Sequence, residues 1–252
     1  MIIRTEAIVL RSIQYGETSR IVTLSTREKG KVAVMARGAL RPKSRFGSTL
    51  QPMSYVQAVL YWRDTRHVQT LSESSHIRTF GDLHKNLAAL AYGQRVVELV
   101  QALMQDEDEN MLVFQLLIDV LDRLNRHAGR AEHLFYFFQL RLAGILGFAP
   151  HIDREAVERI PESGGALLLE TGSVEPSEGR RNRETMRFAA RRTLRAFAIV
   201  ACADPDTIMQ MRMDERTAAE LGRLIEDFLR YHVEDALPTR GSRVVKQLLN
   251  PR

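Results

Sequence analysis

Residues 5–38 read TEAIVLRSIQYGETSRIVTLSTREKGKVAVMARG, and this stretch decides how the N-terminal third of the chain folds. Three runs rich in β-branched and aliphatic residues are separated by two short turn signals, QYGE at residues 14–17 and EKG at residues 28–30. Runs of this kind predict β-strands, and short glycine-containing turns between them predict hairpins. The stretch therefore predicts three consecutive strands.

Two further strand-like runs follow, SYVQAVLYW at residues 54–62 and HVQTLSES at residues 67–74. They are joined by the turn Arg63-Asp64-Thr65 and are preceded by a longer loop. Five strands within about 75 residues suit a small closed barrel such as an OB-fold. The spacing by itself also allows a small open sheet or another type of barrel.

From about Asp82 the apolar residues recur with the 3.6-residue period of an α-helix. Helices are expected from about Leu83, from about Asn110 and from about Arg130, and a last helical region from near Arg183. The fold class is therefore predicted to be α+β. A five-stranded OB-fold barrel at residues 1–80 precedes an α-helical domain at residues 81–252, which carries an irregular insert at about residues 150–182.

The charge of the 252-residue chain is unevenly distributed, although the total of +5 is modest. Residues 1–80 contain 13 Lys and Arg against 5 Asp and Glu, a net of +8, whereas the remainder contains 23 against 26, a net of −3. The basic character thus belongs to the predicted barrel, which indicates a separate module with an acidic partner.

The chain has neither the motifs of a common enzyme class nor those of a secreted protein. A GxSxG elbow, a GxGxxG loop and an HxxxH pair are all absent, and GALRPKS, from Gly38, lacks the second glycine of a phosphate-binding loop. The sole cysteine, Cys202, excludes an intramolecular disulfide, and its apolar surroundings predict a buried core thiol. We expect a cytoplasmic protein without membrane segment, metal or cofactor, and not an enzyme.

The first basic cluster lies in and beside the longer loop of the predicted barrel. Six cations fall within 17 positions: Lys29, Lys31, Arg37, Arg41, Lys43 and Arg45. Cations of this density favour contact with the phosphates of a nucleic acid. Aromatic residues nearby would serve either as stacking platforms for unpaired bases or, more often, as core residues, namely Tyr15, Phe46, Tyr55, Tyr61 and Trp62.

The second basic cluster is RRNRETMRFAARRTLR at residues 180–195, with seven arginines and one acid. If the segment is helical, the arginines four positions apart share one side of the helix: Arg183, Arg187, Arg191 and Arg195. Either this stripe binds an anionic partner such as DNA, or its arginines pair with acids of the same domain. Both interpretations remain open from the sequence.

Several strings together resemble the RecO family of bacterial recombination-mediator proteins. These are YGETSRIVTLST, KGKVAVMARGALRPKSR and LQPM in the barrel, LRLAGILGFAPHID from Leu140, and Ser242-Arg243 near the end. The resemblance implies an OB-fold followed by a helical domain, and a non-enzymatic DNA repair protein.

The resemblance also implies a set of partners. Family members bind single- and double-stranded DNA, anneal complementary strands and act with RecR. They bind single-strand-binding protein through its acidic C-terminal tail and help to load RecA onto DNA coated with that protein. The matching string implies DNA contacts by Arg37, Arg41, Lys43 and Arg45. The tail is expected to dock on the helical domain beside an apolar groove, near the candidate partner-binding residue Arg141 or near the face that carries Arg187.

One departure from the family concerns zinc. Many members carry four cysteines in and around the insert, whereas the stretch DREAVERIPESGGALLLETGSVEP from Asp153 has none. A zinc site built on cysteines is therefore impossible here, and packing and hydrogen bonds must hold the insert. An alternative of another class is an RNA-binding OB-fold protein that acts on structured RNA or on the ribosome.

Overall fold

The computed structural model describes residues 1–176 and 184–233 of the chain. The described residues form two compact units, residues 1–131 and residues 132–233. The boundary between domains that the sequence indicates at residue 80 stays a prediction.

The first unit opens with five strands: β1 (Ile2–Tyr15), β2 (Ser19–Thr26), β3 (Gly30–Ala36), β4 (Tyr55–Tyr61) and β5 (Val68–Arg78). They form a closed barrel in the order β1-β2-β3-β5-β4, and β4 pairs back with β1. Only the pairing of β3 with β5 is parallel among these five. This is the strand order of an OB-fold, so the predicted barrel is confirmed.

The length of β1 is what lets the sheet close. Its first half, from Ile2 to Ile8, pairs with β4, and its second half, up to Tyr15, pairs with β2. The register shifts between Val9 and Arg11, as at a β-bulge, which bends the strand between its two neighbours. Alternate side chains then meet in a buried core that includes Ala7, Val22, Leu24, Val34, Ala58, Leu60 and Leu71.

Three helices complete the first unit: α1 (Gly81–Lys85), α2 (Leu87–Leu103) and α3 (Met111–Arg126). The helix expected from Leu83 is divided at Asn86, which ends α1 and caps α2 by accepting a hydrogen bond from the amide of Ala89 at 3.0 Å. Asn110 caps α3 in the same way, accepting from the amide of Val113 at 3.1 Å. Two 3₁₀ turns lie at Gly47–Leu50 and Ala128–Arg130.

The second unit is mainly helical. Its helices are α4 (Ala131–Ile145), α5 (Arg154–Arg159), α6 (Arg191–Cys202), α7 (Pro205–Gln210) and α8 (Glu215–Val233). A small antiparallel sheet in the order β7-β6-β8 consists of β6 (Gly165–Leu168), β7 (Val174–Pro176) and β8 (Met186–Ala189). The hydroxyl of Tyr136 on α4 donates to the carbonyl of Ala218 on α8 at 2.8 Å, which ties these two helices together.

The insert lacks zinc cysteines, as its sequence shows, and the small sheet orders it. The amide of His151 donates to the carbonyl of Thr171 at 2.8 Å, and the amide of Leu169 to that of Thr185 at 2.8 Å. Leu167, on β6 of this sheet, is fully buried. Within residues 1–176 and 184–233, no three His, Cys, Asp or Glu side chains cluster where a metal ion could bind. Packing and hydrogen bonds hold the insert.

The helical region predicted from near Arg183 is confirmed from Arg191 onward, but it is wrong for residues 186–189. Met186 to Ala189 form β8, whose backbone pairs with β6, and the helix begins only at Arg191. In β8 the backbone N–H and C=O groups form hydrogen bonds with β6 instead of within a helix. The four-residue spacing of the arginines gives no information about such pairing. Arg183 itself lies outside the described residues.

The prediction of a buried Cys202 is also wrong, because this residue ends α6 and is exposed. The apolar sequence around it does not show which side of the helix faces the core.

As to membranes, none of the helices described is both long and apolar enough to span a bilayer.

Candidate nucleic-acid interface

The basic loop, defined as residues 37–46, follows β3 and is held in shape at both ends. The amide of Leu40 donates to the carbonyl of Thr18 in the β1–β2 turn at 2.9 Å. At the other end the ring of Phe46 is buried in the barrel core, with 1% of its surface exposed. Between these anchors the amide of Ser44 donates to the carbonyl of Arg41 at 2.9 Å. The loop backbone is therefore ordered by its own contacts.

Four cations project from this ordered backbone into solvent: Arg37, Arg41, Lys43 and Arg45. Within the part of the chain that the structure describes, none of the four forms an ion pair with a carboxylate. The guanidinium of Arg45 lies 5.3 Å from the centre of the Phe46 ring, which restrains its direction. A fixed backbone that carries four unneutralised charges is suited to contact with phosphates.

Lys29 and Lys31 both contact other residues of the barrel unit, and Lys31 is the one that is neutralised. Lys29 Nζ lies 5.4 Å from the centre of the Trp62 ring. Lys31 has only 15% of its side chain exposed, pairs with Asp106 at 3.1 Å and donates to the carbonyl of Gln101 at 3.1 Å. Of the six cations in the first cluster, Lys31 is the least suited to bind a phosphate.

The five aromatic residues near the loop divide into core and surface. Phe46, Tyr55 and Trp62 are buried, whereas 57% of Tyr15 and 51% of Tyr61 is exposed. Burial and a hydrogen bond to Glu6 raise the pKa of Tyr55 to about 12, so its hydroxyl stays protonated and structural. Tyr15 and Tyr61 are the two aromatics of this set that could stack on a base.

The β4–β5 loop, residues 62–67, presents two more cations that the sequence analysis did not single out, Arg63 and Arg66. Gln69 is fully buried and holds this loop with three hydrogen bonds. Its Oε1 accepts from the amide of Arg63 at 2.9 Å, and its Nε2 donates to the carbonyls of Arg63 and Arg66 at 3.0 and 2.7 Å. The sequence offered one signal for an ordered loop here. Gln69 lies at an inward position of the predicted strand, where a polar side chain needs hydrogen-bond partners. In OB-folds this loop commonly contacts oligonucleotides.

The arginines of the second cluster that the structure describes pair with acids of their own unit. Arg187 Nε lies 2.7 Å from Asp227 Oδ2, and Arg191 pairs with Glu162. Arg195 Nη2 lies 3.1 Å from Glu158 Oε2. Arg187 lies on β8 and Arg191 on α6, so they do not share a helical stripe. These pairs support the interpretation of internal pairing for the three residues, and DNA contact by Arg187 and Arg191 stays a prediction.

The second unit also contains the candidate partner-binding residue Arg141. It is exposed on α4, with its guanidinium 5.4 Å from the centre of the buried Phe137 ring. A separate, mainly apolar cavity of about 420 Å³ lies between α5 and α6, beside Val157, Ile199 and Cys202. Neither Arg141 nor Arg187 is among the residues that line this cavity.

Known proteins match the chain along its length. The family model described as recombination protein O N terminal matches residues 1–80, and the model described as recombination protein O C terminal matches residues 84–241. DNA repair protein RecO of Salinibacter ruber is 49% identical over 98% of this chain and 94% of that protein. RecO of Chlorobium limicola is 27% identical over 99% of this chain and 100% of that protein. RecO of Bacillus subtilis is 33% identical over 61% of this chain and 59% of that protein.

The matches agree with the OB-fold barrel and with the strings that indicated the family in the sequence. A family model covers the barrel, another covers most of the remainder, and one relative is nearly half identical over almost the whole chain. The chain therefore belongs to the RecO family of DNA repair proteins.

Proposed function

We propose that this chain is a non-catalytic recombination mediator that binds single- and double-stranded DNA and anneals complementary strands. Together with RecR, it helps to load RecA onto DNA coated with single-strand-binding protein, in the cytoplasm. The observation that carries the proposal is the basic loop, an ordered backbone with four exposed cations that pair with no acid of the described chain. Membership of the family supports the same role.

The physical basis for annealing is charge screening on one surface. Two single strands repel each other through their phosphates, and a cluster of fixed cations lowers that repulsion while the bases stay free to pair. Because both ends of the basic loop are anchored, its backbone loses little conformational freedom when a strand binds. Tyr15 lies beside the turn to which the loop is hydrogen-bonded and offers a surface for an unpaired base.

For the acidic tail of single-strand-binding protein, we propose docking at Arg141. The guanidinium is exposed, and the aromatic ring beneath it restrains its position, so a carboxylate can approach it without rearrangement of the helix. Replacing Arg141 with Glu should abolish binding of a labelled tail peptide to the full chain while DNA binding is retained. Unchanged peptide binding would remove Arg141 from the proposal.

The DNA-binding role is tested by a variant in which Arg37, Arg41 and Lys43 are changed to Glu. Affinity should fall for single-stranded and duplex DNA alike, and the slope of log K against log salt should flatten. Each lost phosphate contact lowers that slope by about 0.7 on single strands and about 0.9 on duplex DNA. The matched control carries the same charge change at Arg130, Arg154 and Arg212, which are exposed and lie outside the loop.

An unchanged slope in the loop variant, or an equal loss in the control, would refute the role of the basic loop. Competition with RNA of the same sequence decides between the proposed function and the RNA-binding alternative, because a DNA mediator should not prefer RNA. The complete role is measured by strand annealing on DNA coated with single-strand-binding protein, with and without RecR. A mediator should anneal these coated strands, and the loop variant should not.

A further inference from the structure

The outer face of strands β1, β4 and β5 forms a second surface next to the basic loop. Side chains alternate along a strand, and Ala58 and Leu60 point into the core, so Gln57, Val59 and Tyr61 point outward on β4. The register places Ile2 opposite Tyr61 and Arg4 opposite Val59 on β1. On β5, Glu73 lies opposite Val59 and Ser75 opposite Gln57. This face combines apolar, aromatic and charged side chains in adjacent rows.

A groove of about 400 Å³ lies on this face, and the basic loop supplies one of its walls. Its lining includes Arg4, Arg45, Gln57, Val59, Glu73 and Ser75. Arg45 reaches the groove because the next residue, Phe46, is anchored in the core and its ring lies 5.3 Å from the guanidinium. The volume falls within the usual range of small-ligand sites, so the groove can admit one unpaired nucleotide.

The charges in and around the groove suit an anionic chain. Arg4 and Arg45 are both exposed, and within residues 1–176 and 184–233 neither is paired with a carboxylate. Glu6, two residues after Arg4 on β1, forms an ion pair with Arg27 at 3.1 Å and accepts a hydrogen bond from the hydroxyl of Tyr55. Glu73 remains, and a carboxylate at this position can accept a hydrogen bond from an N–H group on the Watson–Crick edge of an unpaired base, such as N3–H of thymine.

Tyr61 does not line the groove but lies next to it, two residues beyond Val59 on β4. It follows Val59 on the same outward face, and 51% of its surface is exposed. It lies diagonally across from Arg4, a separation of about 7–8 Å between such positions in an antiparallel pair. One base can therefore stack on the ring while its phosphate contacts the guanidinium.

The strand face that OB-folds commonly use is partly covered in this protein. Oligonucleotides commonly bind OB-folds across strands 2 and 3. Here the segment that follows α2 packs against the start of β3. The amide of Glu107 donates to the carbonyl of Lys31 at 2.9 Å, and Lys31 forms an ion pair with Asp106. On the β1–β4–β5 face, α3 packs near the start of β4, where the ring centres of Tyr55 and Phe114 lie 6.4 Å apart, and near the end of β5, where Arg78 pairs with Asp122. Away from α3, the groove residues Arg4, Arg45 and Glu73 are exposed.

We propose that the groove on the β1–β4–β5 face binds an unpaired nucleotide of a single strand that also contacts the basic loop. Arg4 and Arg45 contact its phosphates, and Tyr61 stacks on a base. The inference rests on the proposed function and adds to it a surface that distinguishes single strands from duplex DNA, because a base within a duplex cannot stack on Tyr61.

The test compares Tyr61→Ala with the wild type in binding a labelled thymidine oligonucleotide and a duplex of the same length. Loss of one stacked base should weaken oligonucleotide binding at least about fivefold, whereas duplex binding should stay within about twofold. Tyr61→Phe should restore oligonucleotide binding, because the ring remains. Arg4→Gln should lower the single-strand salt slope by about 0.7. The control is Tyr231→Ala, which removes a half-exposed aromatic ring from α8.

The outcomes separate this inference from the function on which it rests. If Tyr61→Ala and Arg4→Gln bind the oligonucleotide like the wild type while the loop variant is defective, the groove is excluded and the DNA-binding role of the loop stands. An equal loss of duplex binding in Tyr61→Ala also overturns the groove as a single-strand site. A wild type that binds no nucleic acid refutes both. Circular dichroism and melting temperature confirm that each variant is folded.

Discussion

Lys31 at the start of β3 forms a 3.1 Å ion pair with Asp106, in the segment that follows α2. The amide of Glu107 donates to the carbonyl of Lys31 at 2.9 Å, so backbone and side chain both hold this segment against the barrel. Lys31 is therefore committed to packing, while the cations of the basic loop, only a few residues later, remain free of ion pairs within the described residues.

Replacing Lys31 with Met should leave DNA binding unchanged. The lysine side chain is mostly buried and already neutralised, so the salt slope should match that of the wild type. Stability should change by no more than about 1 kcal/mol, because the carboxylate of Asp106 is largely exposed and such pairs contribute little. Arg41→Met is the comparison and should flatten the slope. A flatter slope in Lys31→Met would show that this lysine contacts phosphate after all.

Gly30→Ala should destabilise the protein far more than Gly16→Ala. Both glycines have a positive φ, +60° and +61°, but a Cβ at Gly30 would overlap the carbonyl of Asp108, whereas no atom lies within 4 Å of a Cβ at Gly16. We expect about 1 kcal/mol for Gly16→Ala from backbone conformation alone, and a cost larger by about 2 kcal/mol or more for Gly30→Ala. Urea unfolding measures both, and equal losses would contradict the close approach.

Gln69→Ala should loosen the β4–β5 loop and destabilise the barrel by about 2 kcal/mol or more. The substitution removes three hydrogen bonds from a buried side chain and leaves backbone groups of Arg63 and Arg66 unpaired. The control is Gln14→Ala, which loses one exposed hydrogen bond to the carbonyl of Gly16 and should change stability by less than about 0.5 kcal/mol. Protection of the amide of Arg63 against hydrogen exchange should fall in the first variant only.

Asp214 should stabilise the second unit in a pH-dependent way. Hydrogen bonds from Thr217 at the start of α8, the backbone amide first, lower the pKa of this carboxyl below its usual 3.8, and the charge of Arg192 acts in the same direction. Its contribution is therefore fully present above pH 3.8 and is lost as the pH falls through the lower folded value.

The unfolding midpoint of Asp214→Asn tests this dependence. The wild type should be more stable than the variant at about pH 7, and the difference should shrink at about pH 2.5. A difference that does not depend on pH would mean that the charge of Asp214 contributes nothing to stability.

Local pattern alone predicted most of the architecture. The alternation of apolar residues with turns such as QYGE and EKG specifies strands, because a half-buried strand needs a period of two. Exposure of the basic loop was also predictable, because four cations among glycines and prolines cannot be buried without partners. The single cysteine excluded a zinc site built on four cysteines.

Contacts between distant segments decided the rest. The sequence does not show that Asp106 forms an ion pair with Lys31 or that Cys202 is exposed. It also does not show that Arg187 lies in a strand that pairs with β6, or that it forms an ion pair with Asp227. The groove likewise depends on strand register, which places Arg4 beside Val59, and on the burial of Phe46, which directs Arg45. The sequence by itself thus determined the five strands, most of the helices and the charged loop. Only the tertiary structure decided which charges stay available, because ion pairs and register depend on residues far apart in the chain.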